Sequence, residues 1–193
     1  MIQTRKQYRD YLKQDQKARG IELVTFSQKV KDFVYRDPTW KFQMLLRKTE
    51  FYFNKKKNPL EWLYYYYLEY RYKKLSMKLG FTIPKNTFGP GLAIPHYGTI
   101  VVNSEAKVGK NCRIHAGVNI GASGGKPEAP VIGDNVYIGP GAKIFGNIKT
   151  ANNIAIAANA CVGKSFNEEN IVVGGVPAKK IKEFDIQKII KHI

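Results

Sequence analysis

An aliphatic residue recurs at every sixth position through the second half of this 193-residue chain, and this period constrains the fold more than any other feature. Helices repeat every 3.6 residues and flat amphipathic strands every two, so neither places such a series on one face. The series is interrupted only by Lys126 and Thr150. Its members are Val102, Val108, Ile114, Ile120, Ile132, Ile138, Ile144, Ile156 and Val162.

Two further positions of each hexad are also patterned. The third residue after the aliphatic position is often Asn or Gly, which enter left-handed backbone conformations at low cost. The pattern predicts short strands that end in tight corners, with three hexads to a triangular turn and the turns stacked in parallel around a core. We therefore predict a mainly β chain, a parallel β-helix over residues 81–177. The fourth residue after each position of the series is small or aliphatic, as at Ala106, Cys112, Val118, Val136, Ala142, Ile148, Ile154 and Ala160.

Residues 1–80 follow a helical period instead. Asp37 and Asn58 each precede a Pro, which places a capping side chain directly before the first helical position. The second of these helices is amphipathic and is predicted to end at Gly80. Further helices are predicted over residues 4–19 and 28–35, and the basic tail, residues 178–193, is also predicted to be helical. The apolar stripe of the helix after Asn58 is Tyr64, Leu68, Tyr72, Leu75 and Leu79.

The formal net charge is +17, and residues 1–80 carry 19 of the 32 Lys and Arg residues and 17 of the 24 aromatic ones. Such a segment suits peripheral contact with a membrane surface at headgroup level. It suits a subunit interface, a core or a solvated surface equally well. No apolar run reaches the roughly 20 residues of a spanning helix, and residues 1–20 are charged where a signal peptide is apolar. A cytoplasmic location is expected, at the inner face of the membrane if residues 1–80 contact lipid.

The cysteine content argues against structural metal or disulfide chemistry. Cys112 and Cys161 are separated by 49 positions and have no paired Cys or His spacing around them. Neither a disulfide framework nor a zinc site is therefore indicated, and both thiols are expected to be reduced and buried.

The hexads resemble the hexapeptide acyltransferase family, and three segments resemble its serine acetyltransferase branch. They are Gly91-Leu-Ala-Ile-Pro-His-Tyr-Gly-Thr-Ile-Val-Val, Ile138-Gly-Pro-Gly-Ala-Lys-Ile-Phe-Gly-Asn-Ile and Gly174-Gly-Val-Pro-Ala-Lys. The resemblance covers about residues 82–180. It implies a left-handed parallel β-helix, a homotrimer, and acetyl transfer from acetyl-CoA to a hydroxyl with no metal and no covalent acetyl-enzyme.

The resemblance places His96 where this branch carries its general base. A hydroxyl is a weak nucleophile until a base removes its proton, and neutral imidazole, with a pKa of about 6.5, can do so. His115 is the second candidate, because it follows the core residue Ile114 and should project outward near the level of His96. It could hold the acceptor, contact the coenzyme or share the acid–base role, or it could be a polar surface residue. His192 in the Lys-rich tail is expected to be solvated.

The coenzyme would lie in a groove between coils, where small residues let the pantetheine arm approach the backbone. The resemblance matches Lys164 and Lys180 to positions where related acetyltransferases hold phosphate or the pantetheine carbonyl. The fold itself also demands many of the small residues. Those predicted near the coenzyme are Gly121, Ala122, Gly139, Ala142, Ala157 and Ala160.

The chain departs from the serine enzymes of the family at the acceptor side. Those enzymes carry an Asp where Phe81 stands, another Asp where Pro95 stands, and Arg-His where this chain has Glu128 and Ala129. We therefore predict O-acetylation of a saccharide, a capsule, O-antigen or exopolysaccharide precursor that could be lipid-linked.

Two alternatives stay open. One is serine O-acetylation in cysteine synthesis, which the terminal Ile193 suits because the serine enzymes often dock a terminal Ile into a partner. The other is a non-catalytic β-helix scaffold or a nucleic-acid binder attracted by the +17 charge. No compact nucleic-acid recognition motif supports that binder, so no nucleic-acid partner is predicted.

Overall fold

The computed structural model describes residues 1–21, 37–55 and 58–193. Three α-helices lead the described chain, α1 (Arg5–Ala18), α2 (Pro38–Lys55) and α3 (Pro59–Leu79). The predicted ends of α3 are confirmed, because Asn58 accepts the Glu61 N–H and Gly80 closes the helix with φ at 77°. Asp37 likewise accepts the N–H groups at the start of α2. The helix predicted over residues 28–35 lies outside the described residues.

The strands form three sheets, which together make the predicted left-handed parallel β-helix. One sheet has the order β1-β2-β5-β8-β11, the second β4-β7-β10-β12-β13 and the third β3-β6-β9. The bounds are β1 (Phe81–Thr82), β2 (Ile100–Val102), β3 (Lys107–Val108), β4 (Arg113–Ile114), β5 (Asn119–Gly121), β6 (Val131–Ile132), β7 (Tyr137–Ile138), β8 (Lys143–Phe145), β9 (Lys149–Thr150), β10 (Ile154–Ile156), β11 (Cys161–Val162), β12 (Ile171–Gly174) and β13 (Lys179–Glu183).

Both hexad phases face the interior as predicted, and every aliphatic position of the series is buried. The corners also follow the pattern, since Asn111, Asn135 and Asn153 have φ between 55° and 57°. Their amides form a ladder in which Asn111 donates to Asn135 and Asn135 donates to Asn153, each at 2.8 Å. The left-handed φ that the pattern puts at Asn147 belongs to Gly146 instead.

The two breaks in the series have different causes. Ile138 pairs with Ile156, eighteen positions further on, but Ile114 pairs with Ile138, which is twenty-four positions on. The extra six residues belong to a mostly exposed loop over residues 122–130, which contains Lys126. Thr150, by contrast, occupies a core position and is buried.

The helices close the open end of the β-helix through a buried ion cluster. Asp15 accepts the N–H groups of Gly91 and Leu92, both at 2.8 Å, and pairs with Arg47 at 2.7 Å. Arg47 is fully buried, and it also donates to the carbonyls of Phe88 and Gly89. Burial alone would lower the pKa of Arg47, but its flanking carboxylates raise it, so the guanidinium stays charged. Side chains thus satisfy backbone groups that no preceding coil can reach.

Helical side chains also hold the backbone of the first coil at Leu92 and Ile94, just before the loop that carries His96. Gln43 donates to the carbonyl of Leu92 at 2.6 Å and accepts the Ile94 N–H at 3.1 Å. The Ile94 carbonyl accepts from the guanidinium of Arg19 and from the hydroxyl of Thr39. Each backbone group of Ile94 is therefore fixed by a helical side chain.

The C-terminal tail differs from the predicted helix. Lys179–Glu183 forms β13, which pairs antiparallel with β12, and a single 3-10 turn follows at Ile186–Lys188. Pairing with the exposed edge of β12 satisfies more backbone groups than a lone helix would. Ile186 and Ile190 are buried and pack against Ala155 on the sheet that contains β4, β7 and β10.

Much of the aromatic content of α3 is exposed. Tyr66, Tyr67 and Tyr70 are each more than half accessible, as are Leu63 and Met77. Among residues 1–21, 37–55 and 58–193, no helix is both long and apolar enough to cross a bilayer.

We expect Arg47→Met to lower the free energy of unfolding by about 3–5 kcal/mol, because it leaves two buried carboxylates without a cation. Lys41→Met, an exposed change on the same helix, should shift it by less than about 0.5 kcal/mol. Urea unfolding followed by circular dichroism measures both. An Arg47→Met protein as stable as Lys41→Met would contradict the capping role of the cluster.

Candidate active site

The fold brings the two candidate histidines together. A bridge pairs Ala93 with Arg113, and this register sets Pro95 beside His115. The imidazole rings of His96 and His115 lie 5.9 Å apart between centroids. The prediction that His115 projects outward near His96 is therefore confirmed.

His115 is held in its neutral form. The Nε–H of Arg113 donates to His115 Nε2 at 3.4 Å, and because arginine has no acceptor atom, the imidazole proton belongs on Nδ1. The ring of Tyr137 lies 5.1 Å from that of His115 between centroids. Burial, then the positive charge of Arg113 and then His96, lower the pKa of His115 to about 4. Near neutral pH this residue offers an N–H donor rather than a charge.

His96 is exposed at the edge of the same face. Among the described residues, no carboxylate lies within hydrogen-bonding distance of its ring, so its orientation depends on the backbone. That backbone follows Ile94, whose N–H and C=O groups are both held by side chains of the helical segment. Phe81 is buried in the core, 4.9 Å from the ring of Phe42, and it contributes no polar group to the site.

Two of the residues predicted near the coenzyme lie beside this histidine pair. Register places Gly139 next to His115 and Ala157 next to Gly139, on the outer surface of the sheet. A Cβ on Gly139 would meet the backbone of Ala157 and Ala158 at 2.7 to 2.9 Å, so only glycine fits there. Gly139 and Ala157 thus form a shallow floor of small residues beside His115, on the outer surface of this sheet.

The other predicted coenzyme residues lie elsewhere. Ala142 and Ala160 are fully buried, and their side chains fill the inside of the coil, so that prediction is wrong for them. Gly121 ends β5, with Ala122 after it, and Lys164 follows β11. Both strands belong to another face of the prism.

Lys180 lies on β13 and is occupied. Its ammonium pairs with Glu168 and lies 3.9 Å from Glu183. The pKa of Lys180 is raised by its hydrogen bond to Glu168. A phosphate would have to replace these carboxylates, which weakens the prediction for this residue.

A cleft of about 840 Å³ opens beside His115, between the C-terminal end of α1, the sheet surface and the C-terminal tail. His192 lines it, half-buried, with Nε2 3.3 Å from Asn111 Oδ1, so the prediction of a solvated His192 is wrong. The tail after the 3-10 turn thus reaches the corner at Asn111, which the sequence did not indicate.

Arg113 and Tyr137 were also missed as contacts of His115. Each occupies an outward position immediately before a core aliphatic residue, and that spacing was available as a signal. Among the residues with described placement, no group of three or more His, Cys, Asp or Glu side chains could hold a metal ion.

Comparisons with known proteins point to one enzyme class. The chain is 39% identical over 103 residues to a serine acetyltransferase of Staphylococcus aureus strain Mu50, and the match covers 52% of this chain and 47% of that protein. A serine acetyltransferase of Staphylococcus epidermidis is equally similar. The chain thus spans about half the length of the curated relatives it matches. No family model matches it.

Solved structures of serine acetyltransferases superpose on a larger share of the chain. Serine acetyltransferase from Neisseria gonorrhoeae superposes with a TM-score of 0.71 at 28% identity, over 93% of this chain and 68% of that one. The Brucella abortus enzyme in complex with coenzyme A gives a TM-score of 0.69 at 29% identity, over 93% and 70%. The fold is thus shared with these solved serine acetyltransferases.

We expect His115 to titrate near pH 4 in the folded protein, as measured from its imidazole signals by NMR. Arg113→Gln should raise its pKa towards the ordinary value of about 6.5, because one nearby positive charge is removed. Since the folded pKa is the lower one, the stability contributed by neutral His115 is complete above pH 6.5 and is lost as the pH falls towards 4. An ordinary pKa in the wild-type protein would contradict this assignment.

Proposed function

We propose that the protein is an acetyl-CoA-dependent O-acetyltransferase in which His96 is the general base. The observation that supports this most directly is the His96–His115 pair above a floor of small residues, on a fold shared with enzymes of this class. No metal is required, because the thioester is already activated towards attack.

The reaction is a direct transfer. The acceptor oxygen attacks the thioester carbonyl carbon, His96 takes the hydroxyl proton, and the carbon–sulfur bond breaks. The proton then passes to the sulfur of coenzyme A. Nδ1–H of His115 is a donor that can stabilise the oxyanion or hold the acceptor oxygen. Because its lone pair already accepts from Arg113, His115 suits this role better than that of the base.

The coenzyme groove is completed by a second copy of the chain. Gly139 and Ala157 lie on one face, whereas Gly121 and Lys164 lie on another. Two such faces meet when copies pack side by side around an axis, and a homotrimer supplies three equivalent grooves. Contact of the exposed α3 face with a membrane stays a separate prediction, as does the cytoplasmic location.

The acceptor has two candidates. The comparisons support L-serine more than the saccharide predicted from the sequence, because the relatives are serine acetyltransferases. The saccharide retains support from the site itself, since Pro95, Glu128 and Ala129 stand where the resemblance expects serine-binding groups. Each acceptor can be tested directly.

We expect His96→Asn to lower acceptor-dependent turnover by about 10²–10⁴-fold and to leave the Kd of acetyl-CoA unchanged. His115→Asn should retain more activity, because it removes a donor and not the base. Thiol release from acetyl-CoA measures turnover with L-serine and with a panel of sugars, and calorimetry measures binding. Turnover of His96→Asn close to wild type would refute the base assignment.

We also expect Ala157→Leu to raise the KM for acetyl-CoA by about tenfold or more, because the larger side chain fills the floor beside Gly139. Ala158→Leu is the matched control, since Ala158 is the adjacent, exposed residue. Steady-state kinetics at saturating acceptor compare the two. Equal KM values would place the coenzyme on another surface.

A further inference from the structure

We propose that the cleft beside His115 binds phosphate groups of the acceptor, so that the acceptor is a phosphorylated or diphosphate-linked hydroxyl compound. The inference rests on the proposed function and narrows its acceptor class. The cleft is lined by five formal cations, Lys17, Arg19, Arg113, Lys188 and Lys191, and by no carboxylate among the described residues.

The positive charge of the cleft is largely uncompensated. Arg19 pairs with Asp37, but no carboxylate within the described parts of the chain lies within ion-pairing distance of Lys17, Lys188, Lys191 or Arg113. The guanidinium of Arg19 also has a buried Nε with no hydrogen-bond partner there. Unpaired cations that share one concave surface raise the local concentration of anions and favour polyanions over single charges.

The pKa values of His192 and Arg19 reflect this excess of positive charge. Burial lowers the pKa of His192, and the charges of Lys17 and Arg113 lower it further. Burial likewise lowers the pKa of Arg19, and Arg113 opposes its protonation although Asp37 favours it. The cations of α1, the sheet and the tail therefore act on one another across the cleft, and a bound polyanion would relieve that repulsion.

The geometry connects this cleft to the chemistry. His115 lines the cleft and lies 5.9 Å from His96 between ring centroids, so an anion held by the lysines leaves the rest of the acceptor near the base. L-serine fits this surface less well, because its single carboxylate cannot neutralise four unpaired cations. Its ammonium would also find no carboxylate among the described lining residues.

The test measures the binding of three diphosphates to the 193-residue chain: inorganic pyrophosphate, uridine diphosphate glucose and farnesyl diphosphate. Calorimetry should show pyrophosphate binding that weakens about tenfold or more in Lys17→Gln/Lys191→Gln, which removes one cation from each of two walls. Lys13→Gln/Lys149→Gln lowers the net charge equally, at an exposed position of α1 and on another sheet, and should change the Kd by less than about twofold. The other two ligands distinguish a nucleotide-carried acceptor from a lipid-carried one.

Three results would overturn the inference: no pyrophosphate binding, equal weakening in both double variants, or displacement of pyrophosphate by acetyl-CoA. The last would assign the cleft to the coenzyme. Acetyl-CoA binding and L-serine turnover, measured on the same preparations, separate the two proposals. Intact L-serine turnover without pyrophosphate binding rejects the phosphorylated acceptor and retains the enzyme, whereas a wild-type protein that fails to bind acetyl-CoA rejects the enzyme.

Discussion

The structure depends on how the first coil of the β-helix is terminated. Every later coil pairs its backbone with the coil before it, but residues 86–94 have no such neighbour. Asp15, Arg47 and Gln43 occupy that place and bond the free N–H and C=O groups directly. An uncapped edge would expose unpaired backbone groups to water and to other chains. The helices are therefore required by the β-helix and share its core.

This termination also determines the site. His96 follows the capped edge by two residues, so its position depends on a backbone fixed by α1 and α2. The buried cluster that fixes this edge pairs its one cation, Arg47, with the carboxylates of Asp15 and Glu50, whereas most of the cations nearer the surface have no carboxylate partner among the described residues. The buried cluster holds the backbone of residues 88–92, and the exposed cations leave a positive charge that can attract a ligand.

The sequence predicted the β-helix well because the interior of each coil demands one aliphatic residue at a fixed position, and neither a helix nor a flat amphipathic strand has that period. Within the series of hexads only Lys126 marks the loop at 122–130, because an insertion of six residues equals one hexad and leaves the later aliphatic positions in phase. The capping of the edge was equally hidden. Asp15 and Gln43 appear as ordinary polar residues on helices, and only the long-range pairing with residues 88–94 gives them their roles.

The site residues also divide into those that the hexad pattern positions and those that long-range contacts position. Positions set by the hexad register, such as His115 relative to His96, could be predicted, since one coil fixes the next. Positions set by the path of the chain outside the hexads could not be predicted, and the tail that carries Lys191 and His192 is the clearest case. The hexad pattern also does not indicate which faces of the β-helix contribute to one site. Gly139 and Gly121 satisfy the same local rule on different faces, so the proposed coenzyme groove needs both faces at once. The proposed second copy of the chain would supply this, because packing by rotation would bring the two faces together without a change in either.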